Sequence, residues 1–203
     1  MKQFKIREKE YQMPTDWNEI TLDVYVKLTE LEESRSAFGI PELYLLKILE
    51  VLCNVEEGDL DELSLTMVNE LVELVSFVQQ EPVWNNVRHI EIEGKDYVFP
   101  DDLNNLTMGE YISIKTLQEN NTAAGIIPYI LAIILRPGSK IVDTETGKEK
   151  WIQEKFNTAN LEWRKELFMK QPVFNLLGPV SFFLSGSGIS TTNTKVSTPE
   201  LQK

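Results

Sequence analysis

Hydrophobic positions along the chain fall into two rhythms. In Ile90-Glu91-Ile92-Glu93 they alternate with charges, Gly94-Lys95-Asp96 interrupts, and Tyr97-Val98-Phe99 resumes the extended pattern. A period of two on both sides of a polar, glycine-containing break predicts a short β-hairpin. Phe4-Lys5-Ile6-Arg7 and Tyr11-Gln12-Met13 carry the same pattern, with Glu8 where the later segment has Gly94. Each stretch ends at a proline, Pro14 or Pro100, which cannot donate to a sheet ladder, and an Asp-x-Asn turn follows at Asp16 and Asp102. Beyond Thr21 and Thr107 the rhythm lengthens to that of a helix, through Leu22, Val26 and Leu28 and again through Met108, Ile112 and Leu117. Both threonines are natural N-caps, and Thr107-Met108-Gly109-Glu110 is a full capping box, so helices are predicted from Leu22 and from Met108.

Two further helices open near prolines, at Pro41 and Pro128. An acidic linker from Val55 to Leu63 leads to a helix predicted over residues 65–80, capped by Ser64 or Thr66. A charged insertion begins at Asp143, and helical periodicity is read from Trp151 to Lys170. The segment from Pro172 to Leu184 is an apolar close, and Ser185 to Lys203 is Ser/Thr/Gly-rich and reads as a flexible tail.

The two hairpins share more than a rhythm. Shifted by 86 residues, Phe4–Leu28 lies over Ile90–Ile114 without a gap. Identities fall at Ile6/Ile92, Lys9/Lys95, Tyr11/Tyr97, Pro14/Pro100, Asp16/Asp102, Asn18/Asn104, Thr21/Thr107 and Tyr25/Tyr111. This agreement in turn and cap chemistry predicts an internal duplication. The expected fold is α+β and predominantly helical, with two tandem diverged repeats, each a short β-hairpin followed by helices. Repeat 1 covers residues 1–86, repeat 2 covers 87–184 with the 143–170 region as a charged insertion, and the tail covers 185–203. Whether the two hairpins share one sheet is left open.

Composition narrows the function. A net charge of −12 argues against a sequence-independent grip on nucleic acid or on anionic lipid, and favours solubility or a basic partner. The N-terminal stretch lacks the apolar core of a signal peptide, and the longest apolar run, Ala123 to Leu135, is short for a membrane span and contains Pro128. A soluble protein inside the cell is therefore expected.

Catalytic templates find little to hold on to. His89 is the only histidine, which rules out a multi-histidine metal site and a Ser-His-Asp triad, and its place at the start of a strand suggests a structural role. No glycine-rich phosphate loop follows a strand, and no cofactor is expected. Cys53, the single cysteine, lies in an apolar helix and reads as a small buried hydrophobe. Glu56, Glu57, Asp59, Asp61 and Glu62 lack the spacing of a calcium loop, and read as a solvated acidic face or a docking patch for a basic partner. The four tryptophans, Trp17, Trp84, Trp151 and Trp163, read as core or interface residues and not as base-stacking platforms.

The stretch Met13-Pro-Thr-Asp-Trp-Asn-Glu-Ile-Thr-Leu22, the second hairpin with its Asn105-Leu106-Thr107 helix start and the late Val180-Ser-Phe-Phe183 resemble a group of small proteins encoded in tailed phages and prophages of gut bacteria. Their genes tend to lie among virion morphogenesis genes. The likeness spans nearly the whole chain apart from residues 143–170 and the tail, and it carries over no active-site residues. It implies a non-enzymatic part in virion assembly, with other phage structural or assembly proteins as partners. The first choice is a tail assembly chaperone-like protein in the host cytoplasm that shields an apolar partner. The alternatives are a structural virion component (connector, tail-barrel or packaged cargo protein), for which an oligomer within an assembly is allowed, and an acidic DNA mimic that occupies a host enzyme. The interaction residues expected are Trp17, Tyr25 and its repeat equivalent Tyr111, the acidic residues Glu56, Glu57, Asp59, Asp61 and Glu62, and Phe174, Leu176, Leu177, Phe182 and Phe183 of the apolar close.

Overall fold

The computed structural model describes residues 1–186 apart from Arg7, Glu57, Glu81, residues 101–105 and residues 145–146, and without the side chains of Val180 and residues 182–186. The expected turn at Asp102 and Asn104, the position of Glu57, the side chains of Phe182 and Phe183 and the tail from 187 lie outside the described residues. The protein is α+β. Seven α-helices accompany a two-stranded and a four-stranded antiparallel sheet among the described residues, so the hairpins belong to separate sheets. Met1–Val83 and Pro172–Phe174 form one compact unit, while Trp84–Gln171 and the described residues from Asn175 to Gly186 form another.

In the first unit β1 (Lys2–Ile6) and β2 (Lys9–Met13) form a hairpin in which Phe4 faces Tyr11 and Ile6 faces Lys9. The alternation buries Ile6 and Met13 and leaves the intervening charges in water. Helix α1 (Leu22–Glu33) starts where the cap was expected, with Thr21 Oγ1 accepting the Val24 N–H at 3.4 Å. Pro41 occupies the first turn of α2 (Pro41–Cys53), where a missing N–H costs nothing. That helix ends at Asn54 in the left-handed region, φ 49°, a conformation asparagine tolerates better than most residues. Ser64 caps α3 (Leu65–Leu74), its Oγ accepting the Met67 N–H at 3.3 Å. The helix expected to run to residue 80 stops at Leu74, and the chain tightens into a 3-10 turn over Ser76–Gln79. Val173 lies alongside the start of α1, donating its N–H to the Ile20 carbonyl at 2.8 Å.

In the second unit β3 (His89–Ile92) and β4 (Lys95–Val98) turn through Glu93 and Gly94 alone, both at positive φ (53° and 73°). This is the two-residue hairpin loop that matches strand twist, so Lys95 and Asp96, expected in the turn, belong to β4. Helices α4 (Met108–Asn120) and α5 (Ile127–Ile134) follow, the second buried on every side from Ile130 to Ile134. Residues 151–170 are not one helix: β5 (Arg136–Val142) and β6 (Glu149–Gln153) form a second hairpin, and α6 (Leu161–Met169) begins later. Between the two strands Asp143 donates its N–H to the Lys148 carbonyl at 2.8 Å, and Gly147 lies at φ 66°. Helix α7 (Val173–Gly186) ends the described chain.

Strand order in the larger sheet is β3-β4-β5-β6. Strand β5 pairs with β4 through Arg136 and Pro137, and with β6 from Gly138 onward. Gly138 sits at this change of partner, where a Cβ would stand 2.9 Å from the Ile152 carbonyl oxygen and 2.5 Å from Val98 Cγ2. His89 of the first strand and Trp151 of the last stack their rings, centroids 4.6 Å apart at 29°.

Candidate interaction surface

The residues expected to make contacts separate into buried and exposed groups. Asp16 caps a 3-10 turn over Trp17–Glu19, its Oδ1 accepting the Asn18 N–H at 2.8 Å, and this turn directs Trp17 inward. Trp17 lies edge-on to Tyr25 (6.2 Å between centroids) and to Phe77 (5.6 Å), and both Trp17 and Tyr25 are buried. Leu176 and Leu177 of α7 are buried too, and Phe174 is half-buried.

The acidic run is divided. Glu56, Asp61 and Glu62 are exposed, whereas Asp59 turns toward the first hairpin. Its Oδ2 accepts the Tyr11 hydroxyl at 2.9 Å and lies 3.5 Å from Lys9 Nζ, which also reaches Glu56 at 3.7 Å. The carboxylates of Asp59 and Glu56 hold the Lys9 ammonium above its usual range, and desolvation, with the bond to Asp59, raises the Tyr11 phenol. One acidic residue therefore anchors the hairpin, and the remaining described ones face water.

Cys53 is buried at the end of α2, and burial pushes its thiol up to about 12. A thiolate is the reactive species, so Cys53 should ignore a thiol-specific disulfide reagent at neutral pH in the native protein and react within seconds in denaturant. Rapid labelling of the folded protein would contradict its placement.

Among the described aromatic side chains of the expected set, Tyr111 is the one that lies open to solvent. It projects from α4 with Met108 and Ile112, one turn of helix apart, at 51%, 71% and 55% exposure respectively. Met108 and Ile112, two of the apolar positions from which the helix was predicted, lie on its exposed face. What α4 turns inward is Glu110 and Ile114. Glu110 Oε2 accepts the Thr107 N–H at 2.6 Å and the Thr107 hydroxyl at 2.7 Å, and Thr107 Oγ1 accepts the Glu110 N–H, which completes the capping box. The other oxygen of Glu110 pairs with Arg136 at 2.8 Å, both side chains nearly out of water.

Arg136 also donates to Gln153 Oε1 at 2.9 Å. Nearby, Arg164 is fully buried, 3.2 Å from Glu154 and 3.5 Å from the Ala132 carbonyl. Burial lowers the proton affinity of both guanidiniums, and the adjacent carboxylates oppose that shift. The Nε atoms of both arginines are buried with no hydrogen-bond partner among the described residues. Glu110, Arg136 and Gln153 thus tie α4, β5 and β6 together, and Arg164 and Glu154 add α6. Close packing of Gly109 under the Phe156 ring, 3.5 Å from an added Cβ, completes the seat of α4.

The sequence reading missed this arrangement because a capping-box glutamate was counted only for its bonds to the helix start. Glu110 sits between Met108 and Tyr111, so burying it rotates its apolar neighbours outward. The partner that makes burial tolerable, Arg136, lies on a strand that the hydrophobic pattern did not reveal.

Chemically, α4 offers an apolar patch with one cation: the Lys115 ammonium stands 5.9 Å from the Tyr111 ring centroid. No group of three His, Cys, Asp or Glu side chains among the described residues is arranged to hold a metal ion. Among those residues, no helix is long and apolar enough to cross a membrane. No family model, curated protein or solved structure matches the chain.

Proposed function

We propose that this chain is a non-enzymatic morphogenesis protein of a tailed phage, a tail assembly chaperone-like protein that shields an apolar partner in the host cytoplasm. The observation that carries this reading is the uncovered face of Met108, Tyr111 and Ile112 on a helix whose other side is fixed by a buried ion pair. Neighbouring apolar side chains exposed together on one helix face are candidate contact points for another molecule. The resemblance of Met13–Leu22, the second helix start and the late Val180–Phe183 segment to phage-encoded proteins supplies the assembly context.

The same proposal includes the internal duplication. In its support, the pairings Phe4–Tyr11 and Ile6–Lys9 recur as Ile90–Tyr97 and Ile92–Lys95 at the 86-residue offset of the sequence identities. Each hairpin is followed by a Thr-capped helix and then by a helix with proline in its first turn.

Quantitative mass spectrometry of purified, nuclease-treated virions tests the reading. The protein should be absent from virions and abundant in the infected-cell lysate. Recovery at the stoichiometry of a ring or a cargo store would instead make it a virion component.

A further inference from the structure

We propose that Met108, Tyr111 and Ile112 of α4 form the docking site for a short apolar segment of another protein, one that carries an aromatic anchor flanked by lysine or arginine. The inference rests on the reading of the chain as a protein that shields an apolar partner, and it names the site and the chemistry of the segment.

The helix is prepared for binding. Its start is locked by the capping box and its inner face by Glu110–Arg136, so little order is left to impose when a partner arrives. Residues at helical spacing i, i+3 and i+4 form a single patch, the geometry by which helical faces receive short apolar segments.

Chemistry of the occupant follows from the equivalent helix in the first unit. Moving back by the 86-residue offset, Met108, Tyr111 and Ile112 correspond to Leu22, Tyr25 and Val26. Those three residues of α1 are buried, and an aromatic ring, Trp17, backed by Phe77, lies edge-on to Tyr25. The three equivalent side chains on α4 are exposed, and position 103, which answers to Trp17, lies outside the described residues.

Area and charge decide between candidate occupants. A stable interface buries about 800 Å² on each partner, and three side chains over about one turn of one helix fall well short of that. A second copy of this chain would also bring a further charge of −12 to the contact. A segment with cationic flanks is drawn by the same field, and the exposed Glu119 at the end of α4 offers a local carboxylate. The Lys115 ammonium already stands near the Tyr111 ring and would repel a second cation there, so the cationic flank belongs toward Glu119 and not over the ring.

The test uses the full chain with carbon-13-labelled methionine methyls, titrated with three short synthetic peptides. One has a Phe-Leu core with lysine flanks, one exchanges the flanks for glutamate, and one replaces Phe with alanine. The Met108 methyl should shift with the first peptide while buried Met13 stays silent. The other two peptides should bind about tenfold more weakly or worse. Ile112→Asp and Tyr111→Ala, both at exposed positions, should remove the shift while the thermal transition stays in place. A shift confined to Met67 on α3, or binding indifferent to Ile112→Asp, overturns the site and leaves the protein-binding reading standing. A Met108 shift that grows with protein concentration alone overturns it in favour of a second copy. Failure of every peptide to bind anywhere overturns it and also removes the support that the α4 patch gives to the wider reading.

Discussion

Arg136→Met is expected to lower the unfolding free energy by about 3–5 kcal/mol, the usual cost of removing one partner from a buried ion pair. The methionine fills much of the volume, so the loss is electrostatic. Glu110, buried and 2.8 Å from the guanidinium, is left as an uncompensated carboxylate that Thr107 alone cannot satisfy. Adding Glu110→Gln should recover more than half of the loss, because the amide keeps the capping acceptor and carries no charge. Urea denaturation of the two single variants and the double variant measures the coupling. A cost under about 1 kcal/mol for Arg136→Met would show that the pair does not hold α4 in place.

Gly178→Ala should be the next most damaging change, at about 3 kcal/mol, with the melting temperature falling by roughly 6–12 °C for a chain of this size. Gly178 lies in α7 against the backbone of Asn85. An added Cβ would overlap the Asn85 carbonyl oxygen, and would stand 2.7 Å from its carbon and 3.3 Å from Asn86 Cα. Relief by a rotamer change is ruled out, since the obstacle is main chain, and the Asn85 side chain is itself bonded to Asn175 at 2.9 Å. Gly39→Ala is the matched control: nothing lies within 4 Å of its added Cβ, and the change should stay within about 0.5 kcal/mol. Equal melting temperatures for the two variants would contradict the packing of α7.

Local chemistry was the legible part of the fold. Thr21, Ser64 and Thr107 cap the helices that their positions predict, and Pro41 and Pro128 open the helices that follow them. These signals depend on neighbours within one turn, so the sequence carries them complete. The hairpin from Arg136 to Gln153 was not legible. Glu149-Lys150-Trp151-Ile152-Gln153 is short and rich in charge, and its strand character comes from the partner Gly138–Val142 across a turn. Pro137 and Gly138 at the head of that partner read as breakers, yet they mark the point where β5 passes from one neighbour to the other.

The candidate site was legible in one residue. Tyr111 was singled out because it repeats Tyr25, and it is exposed where Tyr25 is buried. The likeness between the two stretches extends to residue type but not to burial, which depends on what packs over each helix. Trp17 covers α1, whereas Glu110 and Arg136 decide which way α4 turns. The buried Leu176 and Leu177 show the reverse error, since an apolar close is also what a helix needs in order to sit inside its own protein.

The stack of His89 on Trp151 bears on how this molecule meets other chains. Outer strands of a sheet carry unpaired backbone groups and invite strand addition from outside, the usual route to β-templated aggregation. Here the rings of the first and last strands stack on each other, so a strand added at either edge would meet an outer strand already braced through its side chain.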